Sequence, residues 1–329
     1  MFNTISPRRL LLLAVPALAL AGCASTSGPV QVESENQDSR VAVVVLHFTV
    51  SDFADSMHVL TKRTSRPVSS HYLIPEPGDD SYEGEKLQVY QLVDENRRAW
   101  HAGVGSWRGM KKLNNMSVGI EIVNQAHCHE AQDDTEPAEP TVADWAAERI
   151  CFYPDFAEEQ MALVAETLEG ILSRHPDVPP THVIGHSDLA PQRKIDPGPR
   201  FPWQWLYTQG YGAWYDDDTV ARYWDRFRLD LPGIGRMQEA LETYGYEIEL
   251  TGEYDEQTRN VISAFQMHFL PWEVTGQNSP ATAAVLYALI EKYYENDLAP
   301  LLAPEPEPVL VPEPAVVPVT VPVTPADAG

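Results

Sequence analysis

The chain has 329 residues, 43% of them hydrophobic, and its 23 basic residues against 48 acidic ones leave a net charge of -25. So acidic a chain is repelled by a polyanion, which argues against a nucleic-acid partner held through phosphate contacts, and it has no tendency to cling to anionic surfaces. Length and apolar content suffice for two ordinary domains with cores of their own.

At the N-terminus Arg8 and Arg9 precede an apolar run from Leu10 to Leu20. The run is shorter than the roughly 20 residues of a membrane-spanning helix and reads as the core of a signal peptide. It ends in Leu20-Ala21-Gly22-Cys23, a string that resembles a bacterial lipobox. That resemblance implies a signal peptide over 1–23 and a lipidated Cys23; the alternative is an ordinary secretory signal that contains a cysteine. Ala24 and Ser25 follow with no Asp beside the cysteine, which in enteric-type sorting implies an outer-membrane anchor facing the periplasm. No second long apolar segment follows, so the expected state is anchored rather than spanning.

Residues 24–38 are polar and aperiodic and read as a flexible tether. Val41–Leu46 is a continuous, largely β-branched run that suits a strand buried on both faces. A helix is expected from Asp52 to Thr64 with Ser51 as N-cap. Ser70–Ile74 and Leu87–Val93 read as strands around a Pro/Gly/Asp loop, and Val118–Ile122 alternates with the period of a strand. Asp155–Arg174 reads as a helix capped by Asp155, its stripe formed by Met161, Val164, Leu168, Ile171 and Leu172. Thr181–Ile184 is a last strand. The alternation predicts an α/β domain over 39–215, with a mixed central sheet flanked by helices and a site at the sheet edge. A small three-helix domain over 228–296 follows, with helices at Gly235–Tyr244, Asp255–Phe269 and Pro280–Tyr294. The Pro/Val/Glu-rich residues 299–329 cannot build a core and read as a disordered tail.

Besides Cys23 the chain has two cysteines, Cys128 and Cys151. An oxidising envelope allows them to pair, closing off the acidic, alanine-rich segment Ala131–Arg149 at a gain of about 3 kcal/mol. Two free thiols remain the alternative. His127 and His129 flank Cys128, and such an exposed tract picks up metal without function.

His47 closes the first buried strand, His186 follows the last one, and Asp196 lies in Arg193-Lys194-Ile195-Asp196-Pro197-Gly198-Pro199. Strand ends at a sheet edge are where α/β domains build sites. Two histidines and a carboxylate form a common catalytic zinc set with a fourth position for water. The Pro/Gly brackets would hold Asp196 rigidly, as ligand placement requires. Spacing alone leaves purely structural histidines open, and His182, four residues before His186, is a competing ligand.

The stretch Gly185-His186-Ser187-Asp188-Leu189-Ala190-Pro191-Gln192-Arg193-Lys194-Ile195-Asp196-Pro197-Gly198-Pro199 resembles the signature of the Amidase_2 family of N-acetylmuramoyl-L-alanine amidases. Leu46-His47-Phe48-Thr49, Ser69-Ser70-His71-Tyr72, Ala99-Trp100-His101-Ala102-Gly103 and Ser117-Val118-Gly119-Ile120-Glu121 resemble further family segments, so the likeness spans Val41–Leu206. It implies one zinc ion held by His47, His186 and Asp196, with Glu121 as general base and Lys194 as oxyanion partner. Glu121 interrupts an apolar strand, where a carboxylate is costly unless paired or functional; a solvated residue on an edge strand is the alternative. Partial burial would raise its pKa toward the working pH, and one well-placed oxyanion contact from Lys194 is worth about 3–4 kcal/mol. His101, Trp100 and Arg193 are implied substrate contacts at the rim, and His71 a structural residue beside the site. Phage-lysozyme-type relatives carry tyrosine where this chain has Ser70, which leaves the Glu121–Lys194 version of the mechanism. The implied reaction is zinc-dependent hydrolysis, by a monomer, of the bond between N-acetylmuramic acid and L-alanine in peptidoglycan, with anhydro-muropeptides and intact muropeptides both open as substrates.

Glu247–Gln266 resembles the peptidoglycan-binding domain 1 family in its Gly…Asp…Thr…Phe-Gln pattern. Physically, Thr251-Gly252 is a turn, Asp255 caps a helix and Phe265 is core; glycan binding and mere packing are both open. A non-catalytic peptidoglycan-recognition protein of the same fold is the competing reading, against which the complete His47, His186, Asp196, Glu121 and Lys194 set argues. A zinc endopeptidase that cuts within the stem peptide is a third reading, against which the lack of a His-Glu-x-x-His motif argues.

Overall fold

The computed structural model describes Val32 and residues 34–130 and 149–304. Residues 34–38, which form no helix or strand, belong to a separate N-terminal unit, and the second unit begins at Ser39. The signal peptide with Cys23, most of the tether, residues 131–148 and the tail from 305 on lie outside the described residues.

The elements run β1 (Val43–Phe48), α1 (Phe53–Thr61), β2 (Tyr72–Ile74), β3 (Tyr90–Gln91), β4 (Ser106–Trp107), β5 (Met110–Lys111), β6 (Ser117–Ile122), β7 (His127–Glu130), β8 (Arg149–Phe152), α2 (Glu158–Arg174), β9 (Val183–Gly185), α3 (His186–Leu189), α4 (Trp203–Thr208), α5 (Asp217–Phe227), α6 (Ile234–Tyr244), α7 (Glu256–Phe269), α8 (Pro280–Tyr293) and α9 (Glu295–Leu302). The main sheet has the order β3-β2-β6-β1-β9. β1 pairs in parallel with both β6 and β9, β2 is parallel to β6, and β3 is antiparallel to β2. β1 is buried along its whole length, as its unbroken apolar run requires of a strand covered on both faces. Helix α2 buries Met161, Val164, Leu168 and Ile171, with Leu172 partly buried at the edge of the stripe.

Several boundaries differ from the sequence expectation. Asp52, not Ser51, caps α1, accepting from the Asp55 amide at 2.9 Å, while the Ser51 hydroxyl faces Ser56. Asp155 does not cap α2, which begins three residues later; it pairs with Arg200 instead. Thr181 and His182 lie in a 3-10 turn ahead of β9 rather than in the strand. The tail expected from Ala299 begins as helix, because Leu298 and Leu301 are buried and hold α9 in place despite Pro300.

Helices α5, α6, α7 and α9 pack around α8, whose residues from Thr282 to Ile290 are all buried. Asp255 caps α7 by accepting from the Thr258 amide at 2.8 Å. This helical region and the sheet share one apolar cluster. Trp107 donates to the Thr181 carbonyl at 3.0 Å and meets Tyr244 and Tyr246 edge-on. Asp188, on α3, accepts from the Tyr246 hydroxyl at 2.6 Å, from His268 at 2.7 Å and from the Gly185 amide at 2.8 Å. A fully buried carboxylate is tolerated because three donors surround it.

Candidate metal centre

His47 is the fifth residue of β1 and stands in register with Glu121 on β6, so the ladder itself sets ligand-strand and acid-strand side by side. His186 opens α3 directly after β9, on the other side of β1. Asp196 comes from the following loop, tied back where the Ser187 amide donates to the Asp196 carbonyl at 2.9 Å. A Cβ on Gly185 would lie 2.7 Å from Pro197 Cδ, so glycine there lets the loop close against the strand end.

The three side chains converge. His47 Nδ1 and His186 Nδ1 are 3.0 Å apart, and Asp196 Oδ2 is 2.8 Å from the first and 3.0 Å from the second. All three are buried, and among the described residues they are the group of His, Cys, Asp and Glu side chains able to hold a metal. Donors this close can all stand about 2 Å from a common point, as zinc requires. His186 Nε2 lies 3.0 Å from the Ala102 carbonyl, which only accepts; the proton is therefore on Nε2 and the lone pair of Nδ1 faces Asp196. Lone pairs packed together in this way call for a cation, and the residues fit one.

Charge reinforces the arrangement. Burial alone would raise the Asp196 carboxyl, but a proton shared with the facing His186 and His47 nitrogens draws it well below the usual carboxylate range, and a bound cation would take that proton's place. Burial lowers His186 to about 4 against the pull of Asp196, keeping it neutral. Burial also opposes protonation of His47, but Glu121 and Asp196 outweigh it and raise that ring. Burial pushes Glu121 up to about 7, with His47 and Lys194 pulling down and Asp196 pushing further up.

A cleft of about 760 Å³ opens over the cluster, lined by His47, Glu121, His186, Lys194 and Asp196, with Trp100 at its edge. Trp100 is 42% exposed. Arg193 also borders the cleft, but its guanidinium donates to the carbonyls of Ala102 and Val104 and so braces the loop that supports His186. His101 borders the cleft, largely buried, with Nδ1 3.0 Å from His47 Nε2 and Nε2 3.0 Å from Ser117 Oγ. His182 takes no part in the cluster, since its Nδ1 lies 2.9 Å from the Ala42 carbonyl. His71 is held between the Gly119 amide, at 3.0 Å, and the Arg97 carbonyl, at 3.1 Å. Ser69, not Ser70, borders the cleft. Cys128 and Cys151 are bonded across β7 and β8, and His127, Cys128 and Tyr153 form part of the cleft wall.

Sequence reasoning passed over Ser117 and Asp188. Ser117, Gly119 and Glu121 share one face of β6 while Val118, Ile120 and Ile122 share the other; that period-two segregation of small and polar residues was the available signal.

Comparison with known proteins follows the same division. Residues 37–199 match the Amidase_2 profile, described as N-acetylmuramoyl-L-alanine amidase, and residues 231–286 match a putative peptidoglycan binding domain. The chain is 37% identical over 299 residues to the N-acetylmuramoyl-L-alanine amidase AmiD of Escherichia coli K12, covering 88% of this chain and all of that one. Among solved structures it is similar to AmpDH3 from Pseudomonas aeruginosa in complex with anhydromuramic pentapeptide, with a TM-score of 0.70, 41% identity, and coverage of 80% of this chain and 96% of that one. It is also similar to E. coli AmiD in complex with anhydro-N-acetylmuramic acid-L-Ala-D-gamma-Glu-L-Lys, with a TM-score of 0.65, 35% identity, and coverage of 80% and 93%.

Proposed function

The chain belongs to the Amidase_2 family of N-acetylmuramoyl-L-alanine amidases, and from that premise we propose how its residues divide the reaction. It is a hydrolase of the amide bond between N-acetylmuramic acid and L-alanine in peptidoglycan stem peptides, zinc-dependent as the family is in general. His47, His186 and Asp196 hold one zinc ion; the observation that carries this is the convergence of their three donor atoms at the floor of the cleft. A zinc ion held there would supply Lewis acidity to the scissile carbonyl and to water.

Glu121 is the general base. It borders the cleft, and its carboxyl, pushed up to about 7 by burial, is poised to take a proton from attacking water and return it to the leaving amine. Lys194 borders the same cleft and its charge reaches both His47 and Glu121; it stabilises the negative charge that develops on the carbonyl oxygen. Trp100 offers an exposed ring to the substrate at the edge.

The substrates include anhydro-muropeptides, a reading supported by the ligands named for the two similar structures. The Leu20–Cys23 string supports a lipid anchor in the outer membrane facing the periplasm.

The test is mass spectrometry of muropeptides digested by protein lacking residues 1–23, with zinc, with a chelator, and with Glu121→Ala. Free stem peptides beginning at L-alanine, lost on chelation and in the variant, are expected. Intact muropeptides despite bound zinc would overturn the assignment.

A further inference from the structure

His101 borders the cleft but is largely buried, and both of its nitrogens are engaged, one of them with His47 Nε2, the ring nitrogen turned away from the cluster. His47 Nε2, His101, Ser117 and the Leu113 carbonyl form a buried line: 3.0 Å from His47 Nε2 to His101 Nδ1, 3.0 Å from His101 Nε2 to Ser117 Oγ, and 2.7 Å from Ser117 Oγ to the carbonyl oxygen. The direction of this line is fixed at its far end. A carbonyl oxygen only accepts, so the Ser117 proton lies between Oγ and Leu113. Ser117 Oγ must then accept from His101 Nε2–H. His101 Nδ1 is thereby left bare and must accept from His47 Nε2–H. With its proton on Nε2, neutral His47 presents a lone pair on Nδ1, the atom that faces His186 and Asp196.

The sequence makes room for this line. A Cβ on Gly119 would lie 2.5 Å from His101 Cγ and 2.6 Å from its Nδ1, so the imidazole lies directly on the glycine. Glycine in a central strand weakens it and signals close approach by another group. Here that group is His101, and Ser117 stands two residues away on the same face of β6.

We propose that Ser117 and His101 are positioning residues that set the tautomer of His47 and so prepare its Nδ1 to hold the metal. The inference rests on the proposed role of His47 as a ligand. Without the Ser117 hydroxyl nothing obliges His101 to carry its proton on Nε2. With the proton on Nδ1 instead, His101 would donate to His47 Nε2, and the His47 proton would move to the nitrogen that the metal needs. Partners that orient a ligand in this way are typically worth about 10- to 100-fold in metal affinity.

The experiment compares wild type, Ser117→Ala and Ser117→Thr as full mature chains. Nitrogen-15 NMR of the histidine rings, on metal-free protein at about pH 9 where imidazoles are neutral, reads the His47 tautomer directly. Competition with a chelator reads zinc affinity. The wild type is expected to show His47 protonated on Nε2. Ser117→Ala is expected to shift population toward Nδ1–H and to weaken zinc binding about 10- to 100-fold, and Ser117→Thr, which keeps the hydroxyl, to restore both. Unchanged tautomer or unchanged zinc affinity in Ser117→Ala overturns the inference, as does failure of threonine to rescue a folded protein. The tautomer is read without metal or substrate, so a wild type that binds zinc yet cleaves nothing defeats the amidase assignment and leaves this one standing.

Discussion

Replacing Tyr246 by phenylalanine removes one oxygen and leaves the ring in place. That oxygen donates at 2.6 Å to Asp188, whose side chain is 1% exposed. A hydrogen bond to a charged group is worth about 1.5–3 kcal/mol, and a buried carboxylate that loses one of three donors sits in the middle of that range, near 2 kcal/mol. Because Asp188 also accepts from the Gly185 amide, which adjoins His186, the loss falls on the sheet and not only on the helices. Urea unfolding should be followed both by far-ultraviolet circular dichroism and by tryptophan fluorescence; Trp203 stacks on His268 at 3.8 Å and Trp107 meets Tyr246 at 5.1 Å. Both probes are expected to give one coincident transition, lowered by about 2 kcal/mol in Tyr246→Phe. A cycle with Asp188→Asn should show a coupling above about 1 kcal/mol. Two separate transitions, with only the helical one moved by the substitution, would refute the reasoning and make the helical region an independent module.

Acid offers a second test. Burial alone would raise Glu95, but Arg174, Tyr72 and His175 hydrogen-bond its carboxylate and hold it at about 2. The folded value lies below the ordinary one of 4.5, so its stabilisation is complete above about pH 4.5 and is lost as pH falls toward 2. Half-exposure of Arg174 trims the contribution to about 2–3 kcal/mol. The stability gap between wild type and Glu95→Gln should therefore narrow between pH 6 and pH 3 in urea titrations, and a constant gap counts against it. Replacing Cys128 and Cys151 together by serine should cost about 3 kcal/mol of unfolding free energy by the loop-closure argument, read by the same titration. Lys194→Ala should lower kcat about 100- to 1,000-fold with little change in zinc content; a change confined to KM would move Lys194 from the reaction to substrate binding.

What the sequence disclosed and what it hid follow one line. Val41–Leu46 announced a buried strand because burial on both faces leaves nothing but apolar residues to read, and His47 stood out directly behind it. His186 and Asp196 were legible through a long contiguous string. His101 was not: its inward position is decided by Gly119, a residue 18 positions later on a neighbouring strand, and local pattern carries no such information. The same holds for Asp188, a motif residue whose partners Tyr246 and His268 lie in the helical region. Helix ends slipped for a local reason. Ser51 and Asp52 are both good caps, and only the geometry decides that Asp52 takes the amide while Ser51 turns to Ser56. Helix α9 was obscured by composition, since Pro300 and the Pro-rich run behind it mask two leucines that find a core.

The pairing of His47 with Glu121 across β1 and β6 has a consequence for how such a protein changes over time. Neighbouring strands stand about 4.8 Å apart whatever connects them, so the gap between ligand strand and acid strand is set by the backbone ladder and not by any loop. Loops at the cleft are then at liberty to lengthen without moving that gap. Selection can redraw the walls that meet the substrate while the reacting centre keeps its dimensions.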